Sequence, residues 1–250
     1  MDRQFETALS SHDKRSIAVR EKDLASEVMD ELPFPAALYY LWTGSEPTAG
    51  ETRLLDAILT SLMVHGTTPS AIAARMTAMG APEAPQAAVA SALSGVGSRF
   101  VGSMLRCSEE LSALVEADST DDAIDDFVAS SLANGERFPG IGHPHLDPID
   151  PRATRLFDIA DDEGLAGDHT DTLRRVRDRF EAATDRSLLI NVTGAIAALT
   201  ADIGLSPTAA RGLAVISRAG GDIGHVLEEA ENPIGPEIWR AVDDGTTPPE

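Results

Sequence analysis

The chain has 250 residues, 42% of them apolar but only 4% aromatic, and its 41 acidic against 20 basic residues leave a formal net charge of −21. Such a field repels nucleic acid phosphates and anionic membrane surfaces, so neither is an expected partner. A single cysteine, Cys107, excludes an internal disulfide and a cysteine-based zinc site, and with no apolar run of spanning length and no basic-then-apolar leader a cytoplasmic location is expected.

A chain of this length buries a substantial core as one large or two small domains. Its apolar residues are mostly Ala, Leu, Ile and Val, which with so few aromatics favours close-packed helices, and the expected fold class is all-α. Lys14 and Lys22 are the only lysines, and the acids are spread along the chain. Adaptation to high salt and an arginine-rich genome both give this pattern. The first predicts loss of fold at low ionic strength, followed by circular dichroism, and the second predicts indifference to salt.

Residues 1–22 are polar, with Ile17-Ala18-Val19-Arg20 the one strand-like run, which suits a short hairpin or an ordered arm. Two helices are predicted between Leu24 and Trp42, separated at Pro33 and Pro35, and Gly44-Ser45-Glu46-Pro47 reads as a turn. An amphipathic helix follows from Glu51 to Val64, its apolar face formed by Leu54, Leu55, Ile58, Leu59, Leu62 and Met63, and it stops at His65-Gly66. Pro69-Ser70 restarts a helix that runs to Met79. A small-residue helix begins near Pro85 and leads into Ser94 to Gly102, where three glycines allow close approach to a ligand or to another helix. Further helices are predicted at about 105–116, 120–134, 152–163, 169–183, 188–203, 207–219 and 221–231.

Between Arg137 and Arg152 the pattern breaks into four Pro, two Gly, two His, two Asp and two Arg. This is a loop rich in reactive groups, or a Pro-rich surface linker. Imidazole titrates near neutrality, so a His held on a loop stiffened by Pro139 and Pro144 is a candidate acid or base. Asp150 before Pro151 suits a helix N-cap.

Taken together, several blocks resemble the citrate synthase superfamily, and within it the compact citryl-CoA lyase type. They are His65-Gly66 with Pro69-Ser70 and Ala73-Ala74-Arg75; Ser94-Gly95 to Arg99-Phe100-Val101-Gly102; Pro139-Gly140-Ile141-Gly142-His143 with Asp150-Pro151-Arg152; Asn191-Val192-Thr193-Gly194; and Ile216-Ser217-Arg218 with Gly224-His225 and Glu228-Glu229. They occur in the family's order over roughly residues 5 to 240.

The resemblance implies a large helical domain at 1–93 with 196–250, a smaller inserted acyl-CoA-binding domain at 94–195, a cleft between them, and a homodimer or dimer-based oligomer. It implies a coenzyme A thioester as substrate, with a dicarboxylate or tricarboxylate, and no metal. His143 matches the histidine that handles the hydroxyl or carbonyl oxygen. His65, Arg152, Arg218 and His225 fall on the substrate-binding side, the last with Glu229 in support of Arg218. Arg99, Phe100, Gly140, Ile141 and Gly142 match the loops that approach the coenzyme.

Two departures follow. The loop from Ser94 to Gly102 lacks the histidine of condensing synthases, as lyases do. At the catalytic position after Asn191-Val192 stands Thr193, where the family carries the aspartate that exchanges the methyl proton, and a threonine hydroxyl is no general base near neutral pH. The expected function is therefore cleavage or formation of the bond between an acetyl-CoA unit and a keto acid such as oxaloacetate. The alternatives are a different acyl-CoA and keto-acid pair, or a non-catalytic CoA-ester-binding subunit. For the lyase, the missing carboxylate is sought at Asp147 or His145, or in a water held by Thr193.

Overall fold

The computed structural model describes residues 6–98, 100–143 and 148–247. Among these the helices dominate, as the composition predicts. The N-terminal segment forms a small antiparallel sheet, β1 (Ser10–His12), β2 (Ile17–Val19) and β3 (Lys22–Asp23), with Ser10 opposite Val19 and Ala18 opposite Asp23. Arg20 turns the chain between β2 and β3 with φ 53° and donates from Nε and Nη2 to the Leu41 and Trp42 carbonyls, at 2.8 and 2.9 Å. The hairpin thus supplies a cation to the negative end of a helix.

That helix is α2 (Phe34–Thr43), preceded by a π-turn (Leu24–Val28) that runs into the short α1 (Met29–Glu31). Pro35 sits inside the first turn of α2, where a missing N–H leaves no bond unmade, so only Pro33 separates the two segments. Then come α3 (Ala49–Leu62), α4 (Pro69–Gly80), α5 (Pro85–Ser94), α6 (Gly102–Val115) and α7 (Thr120–Ala133). α3 starts earlier than its apolar face suggests, because Thr48 and Glu51 close a capping box.

The second half holds α8 (Pro151–Glu163), α9 (Asp168–Thr184), α10 (Val192–Asp202), α11 (Pro207–Glu231) and α12 (Gly235–Asp244). α10 is the axis of the molecule. Every residue from Gly194 to Thr200 is buried, so the helix is apolar on all sides. Ala195, Ile196 and Leu199 join a core cluster with α3, α8 and α11, while Ala197 and Ala198 join a second with α6, α7 and α9. Its small residues let neighbouring backbones approach. Gly194 sits so close to Gly140 that a β-carbon there would lie 2.8 Å from the Gly140 Cα.

The sequence predicted helices at 207–219 and 221–231, and the structure replaces them with one helix of 25 residues. The glycines inside it serve contact instead of a break: a β-carbon on Gly221 would collide with the Met63 carbonyl at the end of α3. Gly221→Ala is accordingly expected to cost about 1–3 kcal/mol, as overpacking does, read as a lowered urea midpoint. α12 was absent from the sequence reading. Its Gly235 and Ile234 amides donate to Glu229 at 2.7 and 3.1 Å, and it is this buried carboxylate that docks the segment.

At the opposite end Asp202 organises the start of α9. It accepts from the Gly167, His169 and Thr170 amides at 2.9, 2.9 and 3.1 Å and from the Thr170 hydroxyl at 2.6 Å. Burial alone would raise its pKa, but the bonds from His169, Thr170 and the amides outweigh it and hold the carboxyl below its ordinary value.

Candidate active site

A cleft of about 680 Å³ opens where α3, α4, α6, α8, α10 and α11 meet the loop around Pro139–His143. His65, His143, Arg152, Thr193 and Arg218 all line it, with Phe100 and Gly142. These residues come from five separate stretches of sequence. His65 and His143 stand edge to face, their ring centroids 5.9 Å apart with planes at 80°.

The loop that carries His143 is held by backbone pairing. The Gly142 amide donates to the Leu189 carbonyl at 2.8 Å, the Asn191 amide donates to the Gly140 carbonyl at 3.0 Å, and Ile141 bridges Ile190 antiparallel. The Asn191 side-chain amide donates to the Pro139 and Gly142 carbonyls at 3.0 and 2.7 Å, while its Oδ1 accepts from the Gly194 amide and caps α10. One residue thus fixes both the histidine loop and the helix that presents Thr193. Gly142 has φ +78°, a conformation that glycine adopts without strain, immediately before His143.

Arg152 is fixed by Asp150. The buried carboxylate caps α8 through the Arg152 amide at 3.1 Å, accepts from Arg152 Nε and Nη2 at 3.0 and 2.9 Å, and takes the Val192 amide at 2.9 Å. Burial would raise its pKa, but the Arg152 bonds, the Val192 amide and the Arg152 charge leave it below the usual carboxylate range. Arg152 Nη1 bonds to no described residue.

Arg218, on α11, makes no hydrogen bond or ion pair with a described residue. Burial lowers its pKa, Asp222 opposes that, and the charge on Arg152 adds to it. Two guanidinium groups that repel each other across one hollow form a local positive field inside an acidic protein, which suits a ligand with several carboxylates.

A model of the family described as citrate synthase, C-terminal domain, matches residues 7–241. The chain belongs to the citrate synthase family. Among solved structures, citryl-CoA lyase from Hydrogenobacter thermophilus is 29% identical with a TM-score of 0.88, the match covering 99% of this chain and 97% of that one. ATP citrate lyase from Methanosaeta concilii, in complex with (3S)-citryl-CoA, shares the fold at a TM-score of 0.81 and 21% identity, over 100% of this chain and 42% of that one. Citrate synthase from Haloferax volcanii is 27% identical over 214 residues, which are 85% of this chain and 56% of that protein. For citrate synthase from Synechocystis sp. the match is 29% over 143 residues, 57% and 35% of the respective chains. The chain thus spans about half the length, or less, of these curated citrate synthases.

Within this family frame, some sequence-predicted residues lie away from the cleft wall. Gly140 is buried behind it against Gly194, and Ile141 packs on the second core cluster. His225 sits behind Arg218, its Nδ1 3.2 Å from Arg75 Nη2. Burial, then the charges of Arg75 and Arg218, hold His225 below its ordinary pKa, so it is a neutral acceptor for Arg75. The buried Arg75 also pairs with Glu229 at 3.0 Å and with Glu228. Arg99, His145 and Asp147 lie outside the described residues.

Two organising residues were missed in the sequence. The bridging role of Asn191, and the second function of Asp150 as partner to Val192, depend on bonds across 49 to 52 residues and 42 residues of chain. Their only local signal was the position of each just before a helix start. No helix among the described residues is long and apolar enough to cross a membrane.

Proposed function

We propose that this chain is a citryl-CoA lyase-like enzyme that cleaves, or in reverse forms, the carbon–carbon bond between an acetyl-CoA unit and a keto acid such as oxaloacetate. The supporting observation is the convergence of His65, His143, Arg152, Arg218 and Thr193 on one cleft. It occurs in a chain that matches nearly the full length of a solved citryl-CoA lyase. Arg152 and Arg218 grip the carboxylates of the keto-acid half, with His65 beside them. His143 takes the proton of the tertiary hydroxyl as the carbon–carbon bond breaks, leaving a keto acid and the enolate of acetyl-CoA. The enolate carbon then accepts a proton. Thr193 orients a water that relays this proton to the carbon, and the proton that His143 accepted returns through the same water or to solvent, so the transfers cancel; the threonine hydroxyl itself is neither acid nor base near neutral pH.

Phe100 and Gly142 flank the arm that carries the thioester, with Arg99, Gly140 and Ile141 assigned to the same coenzyme loops. The domain division at 94–195 against 1–93 with 196–250 and a cytoplasmic homodimer belong to the same proposal. No step requires a metal ion.

Thr193 also favours a second reading, in which the cleft serves another acyl-CoA and keto-acid pair or binds a CoA ester without turnover. Incubation with citryl-CoA, and separately with acetyl-CoA plus oxaloacetate while free thiol is trapped, distinguishes these outcomes. The lyase assignment expects citryl-CoA cleavage by the wild type, and at least about a tenfold acceleration in Thr193→Asp as a positioned carboxylate replaces the water. A silent wild type that gains turnover only as Thr193→Asp supports the binding subunit instead.

A further inference from the structure

One ionisable group beside the cleft is used by none of the chemistry above. Asp222 is 1% exposed, and its Oδ2 is buried without a hydrogen-bond partner. It lies one helical turn beyond Arg218 on α11, so the two side chains share a face. No ion pair joins them among the described residues; a cation four residues before an anion is the less favourable order on a helix. Nor does the backbone have room to adjust, since the adjacent Gly221 is pressed against the Met63 carbonyl. An enclosed carboxyl that lacks donors is a standing cost to the fold, and leucine would fill the space without it.

We infer that Asp222 is a positioning residue for Arg218, and that capture of a substrate carboxylate by Arg218 is coupled to uptake of a proton by Asp222. With the cleft empty, the Arg218 charge is the nearest compensation for an ionised Asp222. A bound carboxylate claims that charge and adds a negative one, so the buried Asp222 carboxyl takes a proton. The electrostatics of the pair run the same way: burial pushes the Asp222 pKa up, and the Arg218 charge opposes it.

The other titratable or charged groups around this pair are His225 on the same helix, Arg75 from α4, Arg152 from α8 and His65 from the turn after α3. α5 contributes no ionisable side chain. On α6, Arg106 and Glu110 are paired with each other, Glu109 is exposed and Cys107 is a buried neutral thiol. Asp202 of α10 is committed to the start of α9. On α3, Glu51 closes the capping box, Arg53 pairs with Glu163, and Asp56 is exposed.

The inference rests on Arg218 as a carboxylate clamp, and its test separates the two ideas. Citrate serves as the probe in titration calorimetry on the full chain, between about pH 5 and pH 7, in pairs of buffers with different ionisation enthalpies. The wild type is expected to take up protons on binding, and its affinity to fall as pH rises, by up to about tenfold per unit where a whole proton is involved. Asp222→Asn and Asp222→Leu are expected to lose that uptake and flatten the pH profile of KM, with kcat changing less. Both should melt at or above the wild-type temperature, because a buried unpaired carboxyl has gone.

Equal proton uptake in the wild type and in either Asp222 variant overturns the inference, as does wild-type binding without proton uptake, a result that requires no variant. Arg218→Gln is the control. If it loses citrate binding while the Asp222 variants leave proton uptake unchanged, only this inference falls; if it binds as the wild type does, the clamp falls and takes the coupling with it.

Discussion

His143→Ala is expected to lower turnover of citryl-CoA by about 100- to 10,000-fold while CoA still raises the melting temperature. The size of the effect follows from where the imidazole is held. The loop is clamped ahead of His143, by the backbone pairing at Gly140 and Gly142 and by the two bonds from the Asn191 side chain, so the imidazole is held in one place on the cleft wall. His65 stands nearby, but its ring meets His143 edge-on and belongs to a separate turn after α3. Asn191→Ala should reproduce part of the loss with His143 intact, because the loop and the N-terminus of α10 would slacken together. Single-turnover kinetics with both variants checks this, and turnover of His143→Ala within a few-fold of wild type would remove the residue from the mechanism.

The second large effect is expected at Asp150, where Asp150→Ala should cost about 3 kcal/mol of stability. The carboxylate answers four donors, and without it the Arg152 charge and the Val192 amide are stranded while α8 loses its cap. The figure is held below that of a fully enclosed pair because the Arg152 side chain remains 24% exposed. Urea unfolding measures it directly. The pH dependence has a definite sign. The folded carboxyl titrates below its unfolded value of about 3.9, so its contribution is complete above that pH and disappears as acid carries the folded group through its own pKa. The gap between wild type and Asp150→Asn should therefore be flat near neutrality and close below about pH 4. Asp202, depressed for similar reasons, adds acid sensitivity in the same window. Because Asp150 also orients Arg152, the variant should bind citrate more weakly even where it remains folded.

Local patterns were enough for most of the helical framework. Pro69 opens α4 in the first turn, and of the apolar face predicted for α3 Leu54, Leu55, Ile58 and Leu62 are buried, Leu59 is half-buried and Met63 is exposed, because the helix stops at Leu62, ahead of the predicted His65-Gly66 stop. Gly221 shows where local pattern fails. A glycine pair in a helical run reads as a break, yet a missing β-carbon equally permits a close crossing, and only the facing Met63 carbonyl decides between them. The predicted start of α10 near residue 188 was early for a related reason: residues 189–191 are taken by pairing with the 140–142 loop, a non-local contact that overrides their helical tendency.

What the amino-acid order determined alone is the all-helical class, the acidic character, most helix boundaries and the blocks that mark the citrate synthase family. Those properties come from composition, periodicity and caps, which act over a few residues. The tertiary structure decided which polar groups share an environment. It set Asp150 against Arg152 and Val192, Asn191 across two loops, and Asp222 in an enclosed site near Arg218 with no donor of its own. The physical reason is that burial and partnership set the charge state and orientation of a side chain, and both are properties of residues distant in the chain.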